Sequence, residues 1–192
     1  MPNWCFNSAI LRHKDEGKIR EAFQALKEEK LFEYFVPMPE DVKASTKANK
    51  PLEKKDDDNG FQMPLWWTWC INNWGTKWDI CDPYTSDDQP FFDGEEWVMT
   101  FTFSTAWAPP IDAFIAAEEH GFRSVLLYEE GGIGFCGVYE TGKGDEYVDY
   151  ENITSQSDVP FAVDEAFHIW ENLQESRESW EEQENEVETA TE

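Results

Sequence analysis

The sequence predicts an α+β domain: a four- to five-stranded, mainly antiparallel sheet carrying the two helices of a split β-α-β unit on one face. Three observations predict it. Residues 3–12 and 97–107 alternate in character with a period of two, as half-buried strands do. Segments following each of these strands place apolar residues three and four apart, the stripe of a helix lying on a core. With further strands at 77–84 and 123–130, the order runs strand, helix, strand, strand, helix, strand.

In the first strand, NWCFNSAILR, Trp4, Phe6 and Ile10 fall on one face and Cys5, Ala9 and Leu11 on the other. Asp15 is placed to cap a helix to about Leu31, with Ile19, Ala22, Phe23 and Leu26 inward. FVPMP at 35–39 is extended, because Pro37 and Pro39 each bar their predecessor from helical geometry. Residues 41–60 read as a loop insertion, since they carry few large apolar side chains and end in Asn-Gly. Their Asp56-Asp57-Asp58-Asn59-Gly60 run lacks the ligand spacing and closing glutamate of a calcium loop, so it reads as a solvated turn.

Pro64 opens a Trp-rich helix over 64–74 that Gly75 stops, and Lys77 to Tyr84 form the next strand. The strand from Trp97 to Trp107 sets Trp97, Met99, Phe101, Phe103 and Trp107 against Val98, Thr100, Thr102 and Ser104. A helix over 109–120 follows, with Ile111, Phe114 and Ile115 inward and Gly121 as its stop. Two strands, 123–130 and 133–141, are joined through Gly131-Gly132 as a hairpin. A C-terminal helix over about 162–174 ends in a glutamate-rich tail, read as a frayed end followed by disorder.

This element order makes a ferredoxin-like split β-α-β sandwich with a loop/helix insertion, an extra strand and a C-terminal helix. Residues 1–150 form that domain, 151–174 a linker and helix, and 175–192 an acidic tail. Trp4, Trp69, Trp78, Phe101 and Phe103 are the aromatics expected to be mostly buried.

Charge divides the chain. Residues 1–60 hold 11 Lys and Arg against 12 Asp and Glu, whereas 61–192 hold 4 against 29. Counterion release from phosphate needs cations, so direct binding to nucleic acid or an anionic membrane is not expected. With 40% hydrophobic and 16% aromatic residues, however, the chain can build a core and is no disordered acidic polymer. Cys5, Cys70, Cys81 and Cys136 form no CxxC pair and sit among apolar neighbours, as reduced thiols do. No basic-then-apolar leader begins the chain and no apolar run approaches a bilayer span, so the cytoplasm is expected.

Catalytic motifs fail on inspection. Gly132-Ile133-Gly134-Phe135-Cys136-Gly137 spells a dinucleotide fingerprint, but a strand follows it where a helix must, so these glycines read as room for aromatics packed over the sheet. His13, His120 and His168 stand in different elements, with no zinc-ligand spacing. Neither a cofactor nor a metal site is expected. Glu129 and Glu130 at the hairpin are weighed as an acid/base pair against a plain solvated turn.

The block LWWTWCINNWGTKWD packs five of the ten tryptophans into fifteen residues. Each tryptophan buries roughly 150–250 Å². Two readings stand. The tryptophans fill the space between sheet and helix, or they wall a pocket or interface with Asn72, Asn73, Lys77 and Asp79 nearby. Ligand or interface candidates are therefore Asn72, Asn73, Trp74, Lys77, Trp78, Asp79, Trp107, Glu129 and Glu130.

MPNWCFN, FVPMP, WGTKWD, FSTAWAPP and YEEGGIGFCG occur in an order that resembles the YubB-like ferredoxin-like domain family of phages, plasmids and prophage regions. The resemblance spans roughly residues 1–142 and implies a ferredoxin-like fold and a mobile-element origin. It brings no established activity and hence no catalytic residues, and Ala108 before Pro109, where serine is expected, argues against a reactive hydroxyl there. Two functions are carried forward. One is an acidic protein-binding protein of phage or plasmid type, a counter-defence inhibitor or nucleic-acid mimic that binds a basic host protein in the host cytoplasm. The alternative is a small-molecule or nucleotide-binding domain, and then a candidate enzyme, using the Trp-lined region around NWGTKWD.

Overall fold

The computed structural model describes residues 3–48 and 64–190, and the side chains of 3–45 and 64–179. Among them a mixed α+β fold is built on one seven-stranded antiparallel sheet. Across the sheet the strands run β2 (Cys81–Tyr84), β4 (Trp97–Ala106), β1 (Trp4–His13), β5 (Arg123–Glu130), β6 (Phe135–Glu140) and β7 (Gly144–Asp149). The two-residue β3 (Phe91–Phe92) also pairs with β4, opposite Val98 and Trp97. β1 is held along its length, with Trp4 opposite Ala106 on one side and Phe6 opposite Glu129 on the other.

The alternation read in β1 decides the two faces. Cys5, Ala9 and Leu11 join Met99, Phe101, Phe103, Leu126 and Tyr128 in the main core. Onto that face pack α1 (Glu16–Lys27), α2 (Leu31–Phe35), α4 (Leu65–Trp74) and α5 (Ile111–Glu119), bringing Phe23, Phe32, Trp74 and Phe114. Asp15 caps α1 as expected, its carboxylate accepting from Gly17 N at 2.7 Å and Lys18 N at 3.3 Å. On the opposite face a second core of Cys136, Ile153, Val159, Val163 and Ile169 lies under α6 (Phe161–Phe167) and the start of α7 (Ile169–Ala190). This second core covers β5 to β7 and leaves Phe6 half exposed on β1.

Several local expectations are corrected. α1 ends at Lys27, because Glu29 turns into the left-handed region at φ 58°, and Leu31–Phe35 then forms a helix where extended chain was expected to begin at Phe35. The first part of the 41–60 loop is helical as α3 (Glu40–Ala48), with Glu40 and Asp41 at its positive end and Val42 buried. The rest of that loop, with Asp56 to Gly60, lies outside the described residues. The strand expected from Lys77 begins at Cys81, because the side chains of Thr76 and Asp79 hold 75–79 in bends. β5 and β6 are joined by a four-residue turn over 131–134 rather than by Gly131-Gly132 alone. The C-terminal helix breaks at His168, φ 54°, and then runs as helix through the predicted tail to Ala190.

Burial of aromatics also differs from expectation. Phe101 and Phe103 are buried, but Trp4, Trp69 and Trp78 are half-buried, and Trp74 is the fully packed tryptophan of its block. Gly137 lies under Tyr128, which is why no side chain can stand there, as the reading of that glycine run anticipated.

Candidate functional site

The Trp-rich segment divides into a fully packed part and a half-buried part. Gly75 caps α4 at φ 80° and lies so close to the start of α5 that a Cβ would meet the Pro109 carbonyl oxygen at 3.1 Å. Thr76 is fully buried and its hydroxyl donates to the Ala106 carbonyl at 3.0 Å. Trp74 is buried edge-to-face against Trp69 at 5.2 Å and donates its indole N–H to the Val36 carbonyl. These contacts make Trp74 a core residue and not a pocket wall.

Asp79 is likewise committed to the fold. Its carboxylate accepts from the backbone N–H groups of Phe32, Glu33 and Ile80 at 2.8–2.9 Å and so caps α2, whose own N-terminal residue Lys30 offers no side-chain cap. Burial pushes this carboxyl up to about 6, the three backbone donors pull it down, and Glu33 adds to the rise. The folded state therefore holds its proton more tightly than the unfolded chain, where aspartate titrates near ~3.9. The group's contribution to stability is complete below about pH 4 and is lost as pH rises through about 6. Compared with Asp79→Asn by denaturant unfolding, the wild type should lose up to about 3 kcal/mol of relative stability over that window. A difference that stays constant with pH would contradict the buried ionisation.

Asn73 donates to the Trp69 carbonyl, and Asn72 is exposed. Lys77 takes an unexpected place, its Nζ 4.2 Å from the ring centre of Trp67 and 4.6 Å from that of Trp78. The charge is thus spent on two indole faces that also pin the 75–79 bends to α4.

The remaining candidates gather at one end of the sheet, where three separated sequence motifs meet. Trp107 N donates to the Asn3 carbonyl at 3.0 Å, and Asn7 Nδ2 donates to Thr105 Oγ1 at 2.9 Å. Thr105 in turn donates to the Ala108 carbonyl. Glu130, buried, accepts from Gly132 N and Ile133 N and so shapes the turn from inside. A Cβ on Gly132 would stand 2.6 Å from Asn3 Nδ2. Glu129 accepts from the Tyr150 hydroxyl at 3.0 Å, and burial raises its carboxyl. Both glutamates are therefore turn and packing groups in place of an acid/base pair. Burial also pushes the nearby Cys5 thiol far above its ordinary value, which disfavours the thiolate. Of the three candidates here, Trp107 is the exposed one, 40% and at φ 75°.

Electrostatics are one-sided. Each of the four cations in 61–192 is engaged: Lys77 on its tryptophans, Arg123 on Glu96 at 3.0 Å, Lys143 on Glu140 at 2.8 Å and Arg177 on the Ile153 carbonyl at 2.7 Å. Carboxylates such as Asp82, Glu119, Glu146, Glu151, Glu165 and Glu175 stay exposed. Among the described residues no three His, Cys, Asp or Glu side chains are grouped to hold a metal ion, and no helix is long and apolar enough to cross a membrane.

Two grooves flank β2, the edge strand that carries Pro83 and that no sequence motif singled out. One, about 450 Å³, lies between α1 and β2 and includes Leu26, Lys27, Glu29, Asp82, Pro83 and Tyr84. The other, about 260 Å³, opens on the uncovered half of the sheet and includes Phe6, Asp82, Thr102, Ser104 and Phe167. Compared with protein-family models, curated proteins and solved structures, the chain matches none of them.

Proposed function

We propose that this chain is an acidic protein-binding protein of phage or plasmid type, acting in the host cytoplasm as a counter-defence inhibitor that presents carboxylates to a basic host protein in place of nucleic-acid phosphate. The observation that carries this reading is the charge of 61–192, 4 cations against 29 acids, with every one of those cations engaged within the fold. A field of one sign over a folded surface steers a basic partner and repels nucleic acid itself. The motif resemblance supports the mobile-element origin. The strand order β2-β4-β1-β5, with α1 and α5 in the same core, supports a ferredoxin-like centre to which β6, β7 and the C-terminal helices are added.

The small-molecule alternative keeps less to work with. Two of its wall residues, Trp74 and Asp79, are occupied by core packing and by the cap of α2, and Lys77 is held between indoles.

Capture of partners from a host lysate tests the proposal. The expected result is one or a few basic proteins retained at low salt and released as ionic strength rises past the point where the screening length falls to about 10 Å. Retention that is indifferent to salt, or of acidic proteins, would contradict it.

A further inference from the structure

The two grooves beside β2 share Asp82 and so adjoin at one residue. The α1–β2 groove is lined by polar and apolar surface alike, with Pro83 and Tyr84 its accessible apolar side chains, whereas the second groove is mostly apolar, with Phe6 and Phe167. Two aromatic side chains stand open beside them, Tyr84 at 67% exposure and Phe6 at 50%. Glu29 and Asp82 are exposed, and neither meets a cation among the described residues. The lysine in the lining is turned to other work, for Lys27 Nζ lies 4.4 Å from the Phe23 ring centre and donates to the Asp88 carbonyl. The edge of β2 is a poor template for an added strand, because Pro83 has no N–H and Asp82 at φ 50° interrupts the ladder. Recognition at this edge therefore falls to side chains.

We infer that the β2 edge is the docking surface for the basic partner: an Arg or Lys side chain lies in the α1–β2 groove with its head at Glu29 and Asp82, and a neighbouring apolar residue of the partner fills the Phe6–Phe167 groove. The inference rests on the acidic-binder reading and gives it a location. The occupant follows from charge and shape. A methylene stem covers Pro83, as long cationic side chains do on apolar surface, and a guanidinium stacks on the open Tyr84 ring. A nucleic acid is repelled by the two carboxylates, and a second copy of a chain of net charge −26 by the whole field. Glu29 and Asp82 line one groove, so a single cationic head meets both carboxylates.

The peptide Ac-Arg-Leu-Arg-Phe-Arg-Gly-NH2 serves as the probe, titrated into the full chain at low salt while backbone amide NMR shifts are followed. Its analogue with citrulline for arginine is the uncharged control. Shifts are expected at 26–29, 81–85 and 102–104 and at Phe6 and Phe167, and to vanish with citrulline. The double variant Glu29→Gln/Asp82→Asn should weaken the peptide at least about tenfold, and Glu146→Gln/Glu151→Gln by less than about twofold. Asparagine tolerates the left-handed backbone at position 82, and unchanged amide shifts elsewhere verify the fold. Shifts spread over β7 and α7, with both double variants equally costly, would overturn the inference. So would a captured partner whose salt-sensitive binding ignores Glu29 and Asp82, an outcome that leaves the acidic-binder reading intact. Failure to capture any salt-sensitive basic partner defeats that reading itself, whatever the peptide does.

Discussion

Replacing Trp74 by alanine should destabilise the fold by about 3–5 kcal/mol, the cost of emptying a large aromatic site that cannot collapse. Trp74 is 4% exposed, packs against Trp69 and Phe32, and satisfies the Val36 carbonyl that follows α2. Its removal opens a cavity between α4 and α2 and leaves that carbonyl without its donor. Urea unfolding of the two proteins measures the difference. The contrast with Lys77→Ala is informative, because that change removes only cation–π contacts at half-exposed indoles and should cost about 0.5–1 kcal/mol. Equal losses would mean that the tryptophan block is held by its charge and not by its packing.

Gly137→Ala should be as damaging, by about 3 kcal/mol or more, although it adds a single carbon. An alanine Cβ would lie 2.3 Å from the Tyr128 hydroxyl and 2.4 Å from the Glu146 carbonyl oxygen. Tyr128 is fully buried and its hydroxyl is tied to Asp145 at 2.8 Å, so the ring cannot swing aside without breaking that bond. The carbonyl belongs to β7, so the strand itself must move. Thermal unfolding should show the loss, and hydrogen exchange should place it first in β6 and β7. An alanine variant as stable as the wild type would show that β7 is loosely held.

What could be read from sequence follows from which forces act locally. The β1 and β4 faces and the α1 stripe were legible because burial on one side imposes a period that nearby residues record. Asp15 and Gly75 were legible because caps have local chemistry. Asp79 was not, since it caps a helix 46 residues away in sequence, and a carboxylate bound for a distant backbone carries no spacing signal. β7 escaped notice because GDEYVD is mostly exposed and its charges mask the alternation. The convergence of Asn3 and Asn7 with Thr105 and Glu130 could not be seen either, as they lie at the ends of three strands and only the register of β1 with β4 and β5 joins them. Trp107 is a candidate that stays exposed, whereas Trp74, Asp79 and Glu130 drew attention for the reason that made them structural: polar and aromatic groups dense in one motif are what a tight turn needs.

The proposal that charge drives partner binding is tested most directly by the rates of association and dissociation of the captured basic protein across ionic strengths of about 0.05 to 0.5 M. The account predicts an association rate that falls steeply with salt. Changing exposed carboxylates of 61–192 to Asn and Gln should slow association more than it speeds dissociation. An association rate indifferent to salt, or binding that survives neutralisation of those carboxylates, would contradict it.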